Sequence, residues 1–402
     1  MRQAFLWLAV AALMLSACKD PPKAVKPAPS ASVPAPPPLQ TAARSGVEKV
    51  QPATDAGKSA CRLHQVMQLD PGPARFSVME AKLELFVNRN GSVERDTVRL
   101  SPLDAPALAR EQKEIDPKPL SLPCGVTKEY VFCMNREGNI LRTSRTAAEG
   151  PHKQIAASRA GATIAAAQMG EHTVVAFLAE RKTKEGPVTE AWAVLDDGPP
   201  VRVSEDGAGA TYVDVATRGA GVVFAYIDAR SAMTPVHARP ATEKDGKLQV
   251  GKDAVVFVGG APDSRVAGVL AVSNDAAFFV MPMAKDIASF GMAIIKLDDP
   301  PIIDEPVTWS MYPNGIDPAP IAATREGSPI RLVRVYPSTN APSGPRVVEL
   351  GEIDSAGGFR SLGEIAEPLS ALYVDVAVDR FGGVWTQHGD SASSTLERRR
   401  CP

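Results

Sequence analysis

The sequence predicts an all-β protein, and three observations carry that prediction. The first is the stretch Ala210 to Arg230, which reads ATYVDVATRGAGVVFAYIDAR. An alternating run, Tyr212 to Ala216, leads to a glycine-rich turn at Gly219 and Gly221 and then to a second apolar run, Val222 to Ile227. Period-two alternation with β-branched and aromatic residues on both sides of such a break spells two antiparallel strands. The second observation is that the pentapeptide YVDVA recurs at Tyr373 to Ala377, again followed by a glycine turn (Gly382, Gly383) and an apolar run. The third is that related phrasing returns along most of the chain at intervals of about 50 residues.

Taken in order, the first hairpin spans Leu83 to Val98, where Asn90-Gly91 supplies the positive backbone angles of a tight turn. The second spans Glu129 to Arg142, and its Asn135-Arg136-x-Gly138 matches Asn88-Arg89-x-Gly91 at a spacing of 47. Between them Pro102 to Pro119 reads as loop, within which Ala105 to Glu114 has the composition of a short helix. Ala162 to Arg181 resembles the 210–230 unit, its Val174-Val175 standing 48 residues before Val222-Val223. Two further strands, Val188 to Leu195 and Val201 to Ser204, follow it before the pattern restarts. Later copies read Val269 to Met281, Ile321 to Tyr336 and Val374 to Thr386; aligning Ala216, Val272, Ala323 and Ala377 gives spacings of 56, 51 and 54. The apolar second strand recurs seven times, near Leu85, Val131, Val174, Val222, Phe278, Ile330 and Val384.

Seven units, each worth about four short strands, predict a single β-propeller of about seven four-stranded blades. A twisted four-stranded sheet cannot bury both faces alone. Packing it between neighbours does so, and closing the ring removes the open ends. Two β-sandwich domains are the alternative, since they also give regular short strands; repetition at blade length stands against them. WD dipeptides in propeller spacing, the kelch Gly-Gly pattern and sialidase-type Asp boxes do not occur in the sequence.

The N-terminus, MRQAFLWLAVAALMLSAC, has one Arg before an apolar core from Phe5 to Leu15, the pattern of a secretory signal. Its end, Leu15-Ser16-Ala17-Cys18, resembles the lipobox of bacterial lipoproteins. The resemblance implies cleavage before Cys18, diacylation of its thiol and acylation of its new amino group, which together give stable membrane anchoring. It thus implies a bacterial-envelope protein. Enteric bacteria retain lipoproteins with Asp directly after the cysteine in the inner membrane; Lys19 stands here, so the outer membrane is favoured. Pro21 to Pro38, PPKAVKPAPSASVPAPPP, has too little apolar bulk to fold. The expected organisation is therefore a signal peptide (1–17), a lipidated cysteine with a Pro/Ala-rich disordered tether (18–58), and a propeller-like domain (59–402). Extended at ~3.1 Å per residue, the tether reaches roughly 120 Å. Lipid anchor plus propeller resembles, in layout alone, the propeller lipoprotein of the outer-membrane barrel-assembly machine.

The 44 Lys and Arg nearly balance the 46 Asp and Glu, so nothing points to nucleic acid. Five cysteines leave four after lipidation, an even number in an exported chain, and predict two disulfides. Cys124 and Cys133 flank one predicted turn, and Cys61 and Cys401 stand at the two ends of the folded region. The expected pairs are 124–133 and 61–401.

Motifs of chemistry are absent: no GxSxG elbow, HExxH or Walker loop occurs, and the five histidines (64, 152, 172, 237 and 388) have no ligand at metal-binding spacing. Gly207 and Gly209, like Gly219 and Gly221, read as turn glycines. Asp196-Asp197 and Asp298-Asp299 read as turn residues, and His172 as a solvated one. Asp214 and Asp375 are the candidate binding residues, at the same place in two repeats on the strand nearest the expected axis; the competing reading is that each accepts hydrogen bonds from a neighbouring blade. No metal or cofactor is expected. The expectation is a non-enzymatic, membrane-anchored module that binds an envelope protein or glycan. An envelope hydrolase or lyase with its site in the propeller channel is the alternative.

Overall fold

A computed structural model describes residues 61–69, 74–79, 82–89, 92–99, 110–116, 120–135, 137–144, 153–159, 162, 164–230, 235–257, 268–273, 276–284, 290–297, 308–311, 321–324, 329–338, 344–366, 368–379 and 381–401. Cys18, the tether, the Asn90-Gly91 turn, His152 and the Asp298-Asp299 pair lie outside the described residues. Every regular element described is a strand. After β1 (Arg62–Leu69), blade 1 is β2 (Ala74–Met79), β3 (Lys82–Arg89), β4 (Ser92–Arg99) and β5 (Arg110–Asp116). Blade 2 is β6 (Leu120–Val126), β7 (Tyr130–Asn135), β8 (Asn139–Ser144) and β9 (Lys153–Ala157). Blade 3 runs β10 (Ile164–Met169), β11 (His172–Thr183), β12 (Gly186–Leu195) and β13 (Val201–Arg202). In blade 4, β14 (Ala210–Arg218), β15 (Gly221–Asp228) and β16 (Val236–Lys244) are followed by two short strands, β17 (Lys247–Val250) and β18 (Ala254–Phe257), both paired with β16. Blade 5 contains β19 (Val269–Val272), β20 (Ala277–Ala284), β21 (Phe290–Lys296) and β22 (Thr308–Met311). Blade 6 contains β23 (Ile321–Ala323), β24 (Ile330–Pro337), β25 (Arg346–Ile353) and β26 (Phe359–Glu364). Blade 7 is β27 (Tyr373–Val378), β28 (Gly383–Gly389) and β29 (Ser394–Arg400), completed by β1 as its outer strand.

The first strands of consecutive blades lie side by side, β2 beside β6, then β10, β14, β19, β23 and β27, and β27 lies beside β2 again. The ring closes. All seven apolar runs singled out in the sequence are second strands, and the reason is burial on two faces. On β15 every residue is buried: Val222, Phe224 and Tyr226 pack against blade 3, whereas Val223, Ala225 and Ile227 pack against blade 5. A strand covered on both faces reads as a continuous apolar run rather than an alternation. The same two-sided logic recurs between blades 2 and 3, 5 and 6, and 6 and 7.

The two ends of the described region are joined twice. β1 pairs antiparallel with β29 from Arg62–Arg400 to Leu69–Ser394, and Cys61 is disulfide-bonded to Cys401. Cys124 and Cys133 form the second disulfide, within blade 2. Both expected pairs are therefore present.

Three turns share one construction, Asn or Asp with Gly three residues on. Asn135, Asp354 and Asp379 each accept hydrogen bonds, at 2.8–3.0 Å, from the backbone N–H groups two and four residues later. Gly138, Gly357 and Gly382 close these turns at φ of 86°, 90° and 76°, which side chains rarely adopt.

One expectation is corrected. The segment allowed for a short helix, Ala105 to Glu114, contributes its second half to β5, which pairs with β4 from Val98–Arg110 to Val93–Asp116. Its charged residues carry local helix propensity, but the unpaired edge of β4 offers backbone partners, and tertiary pairing overrides so weak a preference.

Candidate functional site

In a four-stranded antiparallel meander, the turns between second and third strands and the connections to the next blade fall at one end of the ring. At that end, the connection from β13 to β14 runs between blades 3 and 4. Its backbone is held at every second residue. Glu205 N–H donates to Tyr226 Oη at 3.3 Å, Gly207 N–H to Glu190 Oε1 at 2.8 Å, and Gly209 N–H to Asp228 Oδ1 at 3.2 Å. Gly207 has φ of 71°, and a Cβ on Gly209 would lie 2.9 Å from Arg230 Cγ. These two positions need glycine so that the loop can turn and Arg230 can lie against it.

Each anchoring side chain has its own support. Glu190 is fully buried and receives the Arg181 guanidinium through Nε and Nη2, both at 2.9 Å. Burial alone would push its carboxyl up, but the Arg181 fork and Gly207 N–H together hold it below the usual range. Asp228 behaves alike: burial acts upward, and Arg230 outweighs it through Nε–Oδ2 at 2.9 Å and Nη2–Oδ2 at 2.5 Å. Tyr226 donates to Asp253 Oδ1 at 2.7 Å, and burial, then that carboxylate, raise its pKa strongly. His237 stacks on the Tyr226 ring and bonds Asp253 Oδ2 through Nδ1 at 2.7 Å. Asp206 is shared by Arg181 and Arg202.

Against this loop opens a cleft of about 280 Å³ between blades 3 and 4. Pro187, Val188 and Ala210 supply apolar wall, and Arg159, Thr189, Thr211 and Arg230 supply polar groups. With Nε and Nη2 given to Asp228, Arg230 keeps Nη1 without an acceptor among the described residues. Arg159 is exposed, and its nearest carboxylate oxygen, on Glu180, is 3.9 Å away.

The residues singled out in the sequence fall elsewhere. Asp214 is buried on β14; its Oδ2 accepts from Leu270 N of blade 5 at 2.9 Å and its Oδ1 from Val215 N at 2.8 Å. Asp214 thus makes the hydrogen bond to a neighbouring blade that the competing reading named. Asp375 on β27 repeats the local half, accepting from Val376 N at 2.9 Å. Asp196 occupies a turn at φ of 49°. It accepts from Thr173 N and binds His172 Nδ1 at 2.7 Å, and this hydrogen bond raises the His172 pKa. Asp197 ties blade 3 to blade 2 through Arg142 and Lys153, both at 2.7 Å. Among the described residues no three His, Cys, Asp or Glu converge as metal ligands would. Sequence reasoning missed Arg159, Glu190, Asp228 and Arg230; the Gly-x-Gly at 207–209 was the one local trace of the loop they surround.

No family profile and no curated protein sequence matches the chain. Among solved structures, the chain is similar to an oligogalacturonate lyase from Vibrio parahaemolyticus, at a TM-score of 0.51 and 11% identity over 87% of this chain and 96% of that one. An oligogalacturonate lyase in complex with manganese gives 0.48 at 10% identity, over 84% and 98% of the two chains. The six-bladed lectin of Aleuria aurantia gives 0.38 at 11% identity, over 66% and 86%. At such identities the likeness is one of fold alone; the β-propeller itself rests on the seven sheets and the ring of their first strands.

Proposed function

We propose that this chain is a lipid-anchored envelope protein whose propeller works as a non-enzymatic binding module. The anchor rests on Leu15-Ser16-Ala17-Cys18 and the proline-rich tether behind it. The observation that carries the binding role is the cleft between blades 3 and 4. Its free groups are donors, whereas the carboxylates behind it, Glu190 and Asp228, are engaged by arginines and held ionised. That arrangement suits recognition, and it offers no carboxyl group poised to exchange a proton at neutral pH. Asp214, the carboxylate nearest the ring axis by sequence, spends both oxygens on backbone N–H groups.

Detergent phase partition of the full protein tests the anchored module. The wild type is expected in the detergent phase in processed form, and Cys18→Ser in the aqueous phase with its signal uncleaved. A Cys18→Ser protein that is still processed and acyl-anchored would overturn the anchor. Turnover of envelope glycans by the purified wild type, seen as new reducing or unsaturated ends, would replace binding with the hydrolase or lyase alternative.

A further inference from the structure

We propose that the cleft between blades 3 and 4 binds a small hydroxylated carboxylate of the sugar-acid class, an assignment that rests on the binding role proposed above. Arg159 and Arg230 present guanidinium N–H groups, and the Thr189 and Thr211 hydroxyls bond no protein atom among the described residues. The buried or bridging acidic groups behind the cleft are already matched, Glu190 to Arg181, Asp206 to Arg181 and Arg202, and Asp228 to Arg230, while Glu180 stays 3.9 Å from Arg159 and Glu205 acts on Arg230 only through space. The guanidinium donors left over, Arg230 Nη1 and those of Arg159, have the geometry to take an anion. A planar guanidinium fork pairs best with carboxylate or phosphate oxygens.

The rest of the cleft separates these two anions. Inorganic phosphate would leave the Pro187, Val188 and Ala210 wall without a partner, and most of the roughly 280 Å³ unfilled. A sugar ring supplies apolar C–H faces for that wall and hydroxyls for Thr189 and Thr211. The volume lies just below the ~300–1,000 Å³ usual for ligand sites, which fits one ring better than a chain.

The site is also built in advance. Arg230 is held flat by its bidentate pairing with Asp228, whose side chain is only 5% exposed. The loop wall is pinned at residues 205, 207 and 209. Preorganised donors lose little conformational freedom on binding, which matters most for a small ligand.

Titration calorimetry on the full lipoprotein in detergent, with D-glucuronate, D-glucose, inorganic phosphate and a neutral-side-chain tripeptide as probes, tests the assignment. Glucuronate is expected to bind saturably and at least about tenfold more tightly than glucose, the scale of a charge-assisted hydrogen bond. Arg230→Gln strands the Asp228 carboxylate and can unfold the protein, so the decisive variant is Arg159→Gln, which removes an exposed side chain with no close partner. It should weaken glucuronate about tenfold and leave the melting temperature unchanged. Thr211→Val should weaken glucuronate but not phosphate. Absence of saturable glucuronate binding would overturn the assignment, as would an Arg159→Gln protein with wild-type affinity. Phosphate binding as tightly as glucuronate would reduce the cleft to an anion site, and tighter binding of the tripeptide would make it a peptide C-terminus site; either result defeats the proposal. Each of these failures leaves the phase-partition result standing, so the anchored module and the sugar-acid site are tested separately.

Discussion

At the scale of single residues, Asp214 shows how a carboxylate near a propeller axis can belong to the fold. It joins blade 4 to blade 5 by accepting Leu270 N–H, and both partners are buried. Removing an acceptor from a buried N–H costs about 1–3 kcal/mol, because the donor loses water and gains nothing. Asp214→Ala is therefore expected to lower the unfolding free energy by about that amount, while Asp214→Asn, which keeps one oxygen, should lose less. Chemical denaturation of the two variants provides the check. A residue kept for a ligand would behave in the opposite way, since relieving a costly functional carboxylate commonly stabilises. A more stable Asp214→Ala protein would instead favour a binding role for Asp214.

At the scale of the element, the β13–β14 connection depends on two carboxylates, and pH reads them. Glu190 and Asp228 are held below their ordinary values of 4.5 and 3.8. A depressed folded-state pKa gives stability that is complete above the unfolded value and is lost as pH falls through the folded one. His172, raised above 6.5 by Asp196, has the opposite sign: its contribution is complete below 6.5 and is lost as pH rises through the folded value. Together these groups place their greatest support at roughly pH 5 to 6.5. Thermal melts across pH should fall on the acid side, and Glu190→Gln should flatten that fall while costing about 1–3 kcal/mol at neutral pH. His172→Ala should flatten the alkaline side alone. An acid limb that is identical with and without Glu190 would show that the loop is held by something else.

At the scale of the whole molecule, the ring is closed by β1 on β29 and by the Cys61–Cys401 bond beside them. The bond spans 340 residues, so the chain-entropy model gives it about 5–6 kcal/mol, against about 2.7 for the 9-residue Cys124–Cys133 loop. Real effects are usually smaller, and here the strand pairing supplies part of the closure independently. Cys401→Ser should lower the melting temperature more than Cys124→Ser does, with the far-ultraviolet β signal intact at low temperature. If the two variants melted together, the long bond would add nothing beyond the β1–β29 ladder.

The sequence by itself determined the strand pattern, the repeat and the closure. A second strand covered on both faces must be apolar throughout, so Val222 to Ile227 and its six relatives announce themselves locally. The Asn135-x-x-Gly138 turn does the same, because its bonds run only to residues two and four positions on. Cysteines at the two ends of a repeat array point to each other once a ring is inferred. Tertiary structure alone decided which polar residues meet. Glu190 reaches Gly207, Asp228 reaches Gly209 and Asp214 reaches Leu270 across gaps of 17, 19 and 56 residues. Nothing in hydrophobic periodicity records such pairings. Periodicity reports which face of a strand is dry, whereas a cleft between blades is made by the angle at which two separately predicted sheets pack, and that angle brings Arg159 and Arg230 to one opening from 71 residues apart.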